Sequence, residues 1–323
     1  MAPPRFSVLI AAHNRSNVLR CAIESVLAQT LGDFELRVVC DGCSDDSAAL
    51  ARSYGDPRIV VLEQARLGHQ FGIANAQLAD CRGDWIAYLN QDDLWLPRHL
   101  ALAAAALRED AELYLGRVAT LRPDGPELMP PPPHAARRDG IDLYAHYPMS
   151  SRVLRRETLQ RVGPYRDPMQ LVEGSAEDWL FRAWRLGVRM RLGETPSVLK
   201  INSVLQGQSY RERPDALQQQ CLALLRERDP EQHLLDWASA RLDDLTAARR
   251  AAPSRWRRRT LREWLRSSYW VSHHALMRGL QALGIPLGIP PQRIERLLRG
   301  MGPGHFQRDL NRARGSDQAH RHP

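Results

Sequence analysis

The chain has 323 residues, of which 43% are hydrophobic and 25% charged, and its formal net charge is +8. This is the profile of a globular protein of about two domains, which excludes a mainly disordered or fibrous chain. The apolar stretches are shorter than the ~18–20 residues of a membrane span, and the N-terminus lacks the pattern of a secretory leader. With five cysteines, too few for a disulfide scaffold, the composition predicts a soluble, cytosolic protein.

The charge is unevenly distributed along the chain. Met1 to Ala248 carry 29 basic and 33 acidic residues, whereas Arg249 to Pro323 carry 16 basic and four acidic residues. A basic C-terminal segment on a slightly acidic body indicates an anionic partner, unless the arginines only form solvated helix faces.

The first ~200 residues alternate short apolar runs with helical patterns, which predicts an α/β fold with a mainly parallel sheet. Strands are predicted at residues 6–12, 34–40, 58–62, 85–90, 112–121, 151–155, 188–192 and 198–201. The first predicted helix follows the capping residues 14–17, and the second ends at about residue 54. The third follows a loop at 68–72 and ends at about residue 81, and the fourth begins at residue 97. Two more helices are predicted at 156–162 and 177–186.

Beyond about Pro214 the pattern becomes helical. We therefore predict a catalytic-type α/β domain over residues 1–208 and a basic helical extension over residues 209–323, whose last ~15 residues are disordered. A run of four prolines, Pro130–Pro133, predicts an extended surface loop.

Polar side chains follow three of the predicted strands. They are His13 and Asn14, then Asp41, and then the run from Asn90 to Asp93. Ligands of open α/β sheets bind beyond the carboxyl ends of the strands, so three such clusters predict a binding site at one sheet edge. The alternative is ordinary turn chemistry, which Asn and Asp also favour.

The third cluster also suggests a cation site. In an extended backbone Asn90 and Asp92 would share a face, with Asp93 pointing elsewhere. One carboxylate and one amide oxygen are hard ligands that suit Mg²⁺ or Mn²⁺. A cation with so few protein ligands completes its shell with water and substrate phosphates, which predicts a phosphate-bearing substrate.

From Phe6 to about Ile201 the chain resembles the family-2 glycosyltransferases, which have the GT-A fold. The segments that carry the resemblance are the opening strand and turn Phe6–Arg15, Ser25–Gln29, Val39–Asp45, Asn75 with Gly83, Tyr88–Pro97, and Glu177-Asp178-Trp179. Each segment alone is weakly specific, whereas six in this order are a strong signal.

The resemblance implies that a sugar is transferred from a nucleotide-diphosphate donor, with inversion, to a hydroxyl of a glycan or lipid-linked acceptor. The implied nucleotide-sugar-binding residues are Ala11, His13, Asn14, Asp41, Asn90 and Gln91. Asp92 would bind a divalent cation, Mg²⁺ or Mn²⁺, that bridges the diphosphate. Asp178 would be the general base, with Glu177 and Trp179 on the acceptor side.

These roles are chemically reasonable, and each has a structural alternative. A cation stabilises the charge on the leaving diphosphate, and a carboxylate activates a hydroxyl that is a poor nucleophile on its own. Glu177 and Asp178 could instead only complement the dipole at a helix start. Trp179 either forms a wall of the acceptor pocket or belongs to the core.

The sequence departs from the family at several positions. Cys40 and Asn90 stand where the family has Asp, Ala11 replaces Pro, and Ala74 stands where the family has Arg. The lost carboxylates should weaken metal binding or change nucleotide preference. They keep open the alternative of a degenerate member that binds nucleotide or glycan without catalysis. A nucleotidyltransferase is disfavoured because its Gly-rich N-terminal loop is missing.

Other motifs are less informative. Cys40 and Cys43 have the Cys-x-x-Cys spacing of redox or zinc sites, but a structural zinc needs about four ligands and no second pair exists. His69 could reach the donor but is better explained as a surface-loop residue. Neither a dinucleotide-binding Gly-x-Gly-x-x-Gly after the first strand nor a P-loop motif is present.

The basic C-terminal segment contains an apolar helical stripe between Leu261 and Leu283, flanked by arginines. This stripe packs on the α/β domain or a second subunit, or it lies on an anionic bilayer, which would suit a lipid-linked acceptor. The segment lacks the aromatic platform of nucleic-acid binding, so no nucleic-acid partner is predicted. The predicted location is cytoplasmic, with possible peripheral contact at the inner face of the membrane.

Overall fold

The computed structural model describes residues 3–122, 125–128, 147–201 and 215–251, together with residues 293, 302–305 and 308. The strands are β1 Phe6–Ala12, β2 Phe34–Asp41, β3 Ile59–Gln64, β4 Trp85–Asn90, β5 Leu94–Trp95, β6 Leu113–Arg122, β7 Gly125–Leu128, β8 Arg152–Arg155 and β9 Met190–Ile201. The helices are α1 Ser16–Leu27, α2 Ser47–Ser53, α3 Gln70–Gln77, α4 His99–Glu109, α5 Arg156–Val162, α6 Ser175–Arg185, α7 Ala216–Leu224 and α8 Pro230–Ala251.

The strands form one mixed sheet in the order β3-β2-β1-β4-β8-β6-β9-β5, with β7 paired to β6. The first four strands are parallel, as predicted. The second half of the sheet is mixed because β8 runs antiparallel to both β4 and β6, while β6 and β9 are parallel. The predicted α/β class is confirmed, and its parallel part is the N-terminal half.

The boundaries of α3 differ from the prediction. Residues 68–72 were predicted as a loop, but the helix already begins at Gln70. The reason is a side-chain cap, since Nδ1 of His69 accepts a hydrogen bond from the amide of Gly72 at 3.0 Å. His69 therefore has a structural role at the start of this helix.

The two short strands predicted at 188–192 and 198–201 form a single strand, β9. Gly193 and Pro196 between them predict a break, but the strand continues through both residues with a β-bulge. The register against β6 shifts between Leu115 and Val118, so Leu115 lies opposite Leu192 and Val118 opposite Val198.

The core lies on both faces of the sheet because side chains alternate along the strands. Val8 and Ile10 of β1 pack with Leu19 and Ile23 of α1 on one face. Leu9, between them, belongs to the cluster on the other face, which includes residues of β4, α5 and α6. Continuous apolar runs such as β1 are thus buried on both sides, which holds their polar carboxyl ends in fixed positions.

A third cluster joins the helices after the sheet to its far edge. Cys221 and Leu234, from α7 and α8, pack with Leu94, Leu199 and Ile201 of β5 and β9. The proposed domain boundary at residue 208 lies among residues outside the described ranges and remains a prediction.

Several predictions concern residues that lie outside the described ranges. These are the proline loop at 130–133, the apolar stripe between Leu261 and Leu283, and the disordered C-terminal end. Within the described ranges, none of the helices combines the length and apolarity needed to cross a membrane.

His99, at the start of α4, is fully buried and gives a pH-dependent contribution to stability. Its ring stacks on Trp95 with centroids 4.4 Å apart, and Nδ1 lies 3.0 Å from Oγ of Ser197. Desolvation by burial lowers the pKa of His99 to about 3. The unfolded chain takes up this proton near the ordinary pKa of about 6.5, so the stabilisation is complete above that pH and declines as the pH falls towards 3.

We expect the free energy of unfolding to lose about 2 kcal/mol through this residue between roughly pH 8 and pH 5. The measurement is urea unfolding of the wild type and of His99→Gln at both pH values. The variant should lack this part of the pH dependence. Identical pH dependence in the two proteins would contradict the assignment.

Candidate nucleotide-sugar site

The polar ends of β1, β2 and β4 meet at one edge of the sheet, as predicted. In register, Ala11 of β1 lies opposite Val39 of β2 and Asn90 of β4. His13 joins the three chain segments, because its amide donates to Oε1 of Gln91 at 2.9 Å and its Nδ1 lies 2.8 Å from the carbonyl oxygen of Asp41.

The partners of His13 define the orientation of its ring. A carbonyl oxygen only accepts, so Nδ1 carries the proton that is donated to Asp41. Nε2 then accepts from Nη1 of Arg66 at 2.7 Å. Arg66 lies in the loop after β3 and brings a guanidinium group to the site that the sequence analysis did not identify.

The turn between β1 and α1 has an unusual backbone. Asn14 and Arg15 both have positive φ angles, 55° and 66°, a conformation that residues other than glycine seldom adopt. The turn is held by the β2–α2 loop, since Oδ1 of Asn14 accepts from the amide of Ser44 at 2.8 Å. Such local strain persists only where the surroundings hold it, and it is common at functional sites.

The cap of α1 differs from the prediction that residues 14–17 cap their own helix. No side chain at the N-cap position, Arg15, forms a capping bond. The carboxylate of Asp45 caps the helix instead and accepts from the amide of Ser16 at 3.2 Å. The local sequence did not reveal this because the capping group comes from a different loop.

Asp41 is buried, with 4% of its surface exposed. Oδ1 accepts from the amide of Leu67 at 2.6 Å and from the side chain of Gln64 at 3.2 Å, while Oδ2 accepts from the amide of Gly68 at 2.8 Å. The carboxylate therefore fixes the loop that carries Arg66 over the strand ends.

The run after β4 does not continue the strand, and this changes the predicted arrangement. The strand ends at Asn90, so Asn90 and Asp92 do not share a face by alternation. Instead Nδ2 of Asn90 donates to Oδ2 of Asp93 at 3.0 Å. Asp93 also accepts from Oγ of Ser150 at 2.5 Å and from the amide of Ile201 at 3.1 Å. Desolvation by burial raises the pKa of Asp93.

Asp92 remains the accessible carboxylate of this run. Its side chain is 15% exposed, and Oδ2 lies 3.5 Å from Nη1 of Arg15. Oδ1 of Asn90 is buried and has no hydrogen-bond partner in the structure. A buried acceptor without a partner is costly, so this oxygen is suited to a ligand or a water molecule.

A cation would have few protein ligands here. Among the described residues, no group of three or more His, Cys, Asp or Glu side chains is arranged to hold a metal ion. The oxygens available are the carboxylate of Asp92 and Oδ1 of Asn90. This set fits Mg²⁺ or Mn²⁺ only if water and substrate phosphates complete the shell, as is usual for Mg²⁺.

A small cavity of about 10 Å³ lies beside this edge and is lined in part by Ala11, Gln70 and Asn90. It has room for about one water molecule. The cavity is therefore too small to enclose a nucleoside.

The acceptor-side residues begin α6. Glu177 and Asp178 lie in its first turn. Asp178 is 3% exposed, and its two oxygens bind Nη1 of Arg166 at 3.2 Å and Nε of Arg182 at 2.9 Å. The sequence analysis gave neither arginine a role, although Arg182 has the i,i+4 spacing of a helical ion pair with Asp178.

Trp179 is buried in the structure. Its side chain has no exposed surface, Nε1 donates to the carbonyl of Gly163 at 2.9 Å, and its ring packs on Tyr165 at 5.4 Å. This burial favours the core alternative, and the acceptor-side assignment of Trp179 stays a prediction. The sequence pattern alone could not show which face of α6 is buried.

Tyr165 connects α6 to the strand ends. Its amide and carbonyl bind both ends of the Asn75 side chain, at 2.9 and 2.7 Å. Its ring also contacts Tyr88 of β4 at 6.0 Å. The segment before α6 is thus anchored to α3 and β4 close to the nucleotide-side residues.

A mixed sheet with polar loops at the carboxyl ends of its parallel strands is consistent with the predicted GT-A fold. Comparison with solved structures supports this class. The structure of S. aureus TarS 1–349 in complex with UDP-GlcNAc aligns with a TM-score of 0.52 at 17% identity, over 86% of this chain and 81% of that one.

Residues 7–163 match the sequence profile of the family described as glycosyl transferase family 2. The matched segment is 157 of the 323 residues, and the match confirms the resemblance stated above.

Curated relatives match a shorter segment. An uncharacterized glycosyltransferase of Rickettsia prowazekii is 34% identical over 97 residues, which are 30% of either protein. The UDP-Glc:alpha-D-GlcNAc-diphosphoundecaprenol beta-1,3-glucosyltransferase WfaP of Escherichia coli is 30% identical over 90 residues, 28% of this chain and 36% of that protein. The chain thus spans about a third of the length of these relatives.

The role of Asp41 in holding the loop can be tested by Asp41→Asn. In this variant the side-chain NH₂ group of the new amide takes the place of one carboxylate oxygen of Asp41. A hydrogen-bond donor then faces a backbone N–H, which is also a donor. We expect the amides of Leu67 and Gly68 to exchange hydrogen at least about tenfold faster, equivalent to ~1.4 kcal/mol of lost local stability. The measurement is hydrogen exchange with mass spectrometry over residues 65–69.

The matched control is Asp46→Asn, which makes the same chemical change at an exposed residue in the neighbouring loop. It should leave exchange of the 65–69 segment unchanged. Equal exchange in the wild type and in Asp41→Asn would show that the carboxylate does not hold the loop.

Proposed function

We propose that the chain is an inverting glycosyltransferase. It moves a sugar from a nucleotide-diphosphate donor to a hydroxyl of a glycan or lipid-linked acceptor. The observation that carries the proposal is the junction made by His13, whose hydrogen bonds bring the ends of β1, β2 and β4 to one site. This is the edge at which open α/β folds bind nucleotides.

Donor binding is proposed for the loops at this junction. The residues involved are Ala11, His13, Asn14, Asp41, Asn90 and Gln91, to which the structure adds Arg15 and Arg66. Arginine forms charge-assisted bonds to phosphate oxygens, so these two guanidinium groups suit a diphosphate. The E. coli relative is named as a UDP-Glc-dependent enzyme and the TarS structure is a complex with UDP-GlcNAc, so UDP is the first nucleoside diphosphate to test.

A divalent cation, Mg²⁺ or Mn²⁺, is proposed at Asp92 and Oδ1 of Asn90. When bound, it stabilises the negative charge that develops on the departing nucleoside diphosphate. In the structure Asp92 pairs with Arg15 at 3.5 Å. A cation competes with Arg15 for the carboxylate of Asp92, and a diphosphate competes with Asp92 for the guanidinium group of Arg15. The ion pair between Arg15 and Asp92 is therefore exchanged when both ligands bind.

Asp178 is proposed as the general base that accepts the proton of the acceptor hydroxyl. A carboxylate in this role must come within ~2.6–3.2 Å of the hydroxyl oxygen. Arg166 is the partner that can give way, because its side chain is 55% exposed, whereas Arg182 is 19% exposed. Displacing Arg166 would open Oδ1 of Asp178 to an acceptor while Arg182 keeps the carboxylate oriented.

A second candidate function is a degenerate member that binds nucleotide or glycan without turnover. Two observations favour it. Both oxygens of Asp178 are engaged by arginines, and Asn90 and Cys40 replace carboxylates of the family motif. Asp92 and Asp178 themselves are retained, which favours the enzyme.

A lipid-linked acceptor is proposed because the E. coli relative is named for a diphosphoundecaprenol-linked substrate. Such an acceptor would place the protein at the inner face of the membrane. Contact through the basic C-terminal segment, most of which lies outside the described residues, stays a prediction.

Asp178→Asn separates the two candidate functions. For the enzyme, we expect the rate of UDP release from UDP-glucose and UDP-N-acetylglucosamine to fall by about 10²–10⁴-fold, because the proton acceptor is lost. UDP affinity should change by less than about twofold, since Asp178 makes no proposed contact with the donor. The measurements are UDP release and calorimetric binding.

The matched control is Asp84→Asn. Asp84 is exposed, and its backbone carbonyl, which the substitution leaves in place, accepts a hydrogen bond from the amide of Arg156. It should keep full activity. Thermal unfolding of both variants checks that lost ion pairs have not unfolded Asp178→Asn. A folded Asp178→Asn protein with wild-type turnover would rule out this base, and a wild type that binds UDP without ever releasing product from donors would favour the binder.

A further inference from the structure

Cys40 and Cys43 lie beside the nucleotide-side turn. Cys40 is the penultimate residue of β2 and is buried opposite Ala12 of β1. Cys43 follows Asp41 and Gly42 in the next turn and is partly exposed. Gly42 has a φ of 63°, which reverses the chain and brings the two thiols together, so that they are hydrogen-bonded to each other.

Cys43 also contacts the β1–α1 turn directly. Its sulfur accepts from the amide of Asn14 at 3.3 Å, and its thiol donates to the carbonyl of Ala12 at 3.5 Å. These two bonds flank His13, the residue that joins the strand ends. The state of the Cys43 sulfur therefore bears on the geometry of the whole turn.

The two thiols have the unequal reactivity that disulfide exchange uses. The hydrogen bond from Cys40 lowers the pKa of Cys43 to about 7, so a large fraction is thiolate near neutral pH. The same hydrogen bond, together with burial, raises the pKa of Cys40. The exposed member is the attacking thiolate, and the buried member lies within reach to resolve it.

The remaining cysteines differ from this pair. Cys81 is buried in the cluster that contains Leu9, and Cys21 and Cys221 are both buried in the cluster that joins α7 and α8 to the sheet. Burial raises the pKa of Cys21 to about 11 and that of Cys221 to about 12. They provide internal controls for thiol chemistry in the same chain.

We propose that Cys40 and Cys43 form a thiol–disulfide exchange site for small disulfides of the glutathione class, and that their oxidation loosens the nucleotide-side turn. The Cys43 thiolate attacks one sulfur of the disulfide, whose S–S bond breaks and releases one thiolate. Cys40 then loses its proton and attacks the Cys43 sulfur, which releases the second thiolate. Two electrons and two protons pass from the protein thiols to the two small thiols, and one Cys40–Cys43 bond is formed.

The consequence for the site follows from the change at the Cys43 sulfur. A thiolate sulfur accepts a charge-assisted hydrogen bond from the amide of Asn14, whereas a disulfide sulfur carries no charge and is drawn towards Cys40. The turn at Asn14 and Arg15, with its two positive φ angles, loses the contact that helps to hold it. Weaker donor binding on oxidation is the part of the inference that rests on the proposed function.

The test equilibrates the full chain with reduced or oxidised glutathione at pH 7.5. Free thiols are then alkylated in urea, so that the buried cysteines also react, and are counted by mass spectrometry. Hydrogen exchange of residues 12–16 and UDP binding are measured on the folded protein. We expect oxidation to remove about 2 Da and to protect only Cys40 and Cys43 from alkylation. Exchange at residues 12–16 should be about tenfold faster, and UDP affinity at least about tenfold weaker. Reduction should restore both.

Cys40→Ser and Cys43→Ser should lose the response to oxidised glutathione, and Cys81→Ser should keep it. The exchange site would be overturned if Cys40 and Cys43 both remained open to alkylation after oxidation. It would also be overturned if Cys43 formed only a mixed disulfide with glutathione. Formation of the disulfide with unchanged exchange at residues 12–16 would overturn its effect on the turn. A reduced protein that fails to bind UDP or any other nucleoside diphosphate would instead count against the proposed function, because the thiol count and hydrogen exchange are scored without a nucleotide.

Discussion

The parallel pairing of β1 between β2 and β4 is the constraint on which the site depends. All three strands are almost entirely buried on both faces, so a slip in register or a rotation would expose core residues to water. That fixed register sets Ala11 beside Asn90 and Ala12 beside Cys40. The polar residues that follow the three strands therefore lie close together. His13 connects them through its hydrogen bonds to Gln91 and to the carbonyl oxygen of Asp41.

The charged groups of the site are paired before any ligand is present. Asp41 is satisfied by loop amides, Asp92 by Arg15, and Asp178 by Arg166 and Arg182. Ligand binding at such a site is an exchange of partners, because a diphosphate competes with carboxylates for arginines and a cation competes with arginines for carboxylates. The cost of breaking a partly buried pair favours ligands that replace both partners together, as a diphosphate with its cation does.

The sequence was sufficient for the features that local pattern controls. The apolar runs of β1 and β4 predicted the strand bounds, and the order of the six motif segments indicated the family. It was insufficient where a residue from another element decides: Asp45 caps α1 from another loop, and Tyr165 packs on the ring of Trp179. It also did not show that Asp93 accepts a hydrogen bond from Nδ2 of Asn90. Arg66 was missed because an arginine in an arginine-rich chain carries no signal until the fold brings it to His13.

The central claim is that the junction at His13 is a nucleotide site, and thermal unfolding with UDP, GDP, CDP and dTDP tests it most directly. A diphosphate at 100 times its Kd should add about 2.7 kcal/mol of stability. We predict that one of the four diphosphates stabilises the wild type but not His13→Ala. The control variant His233→Ala, which changes an exposed histidine of α8, should be stabilised like the wild type. The stabilisation should require Mn²⁺ and disappear with EDTA or in Asp92→Ala. No stabilisation by any of the four, or stabilisation that survives in His13→Ala, would contradict the account.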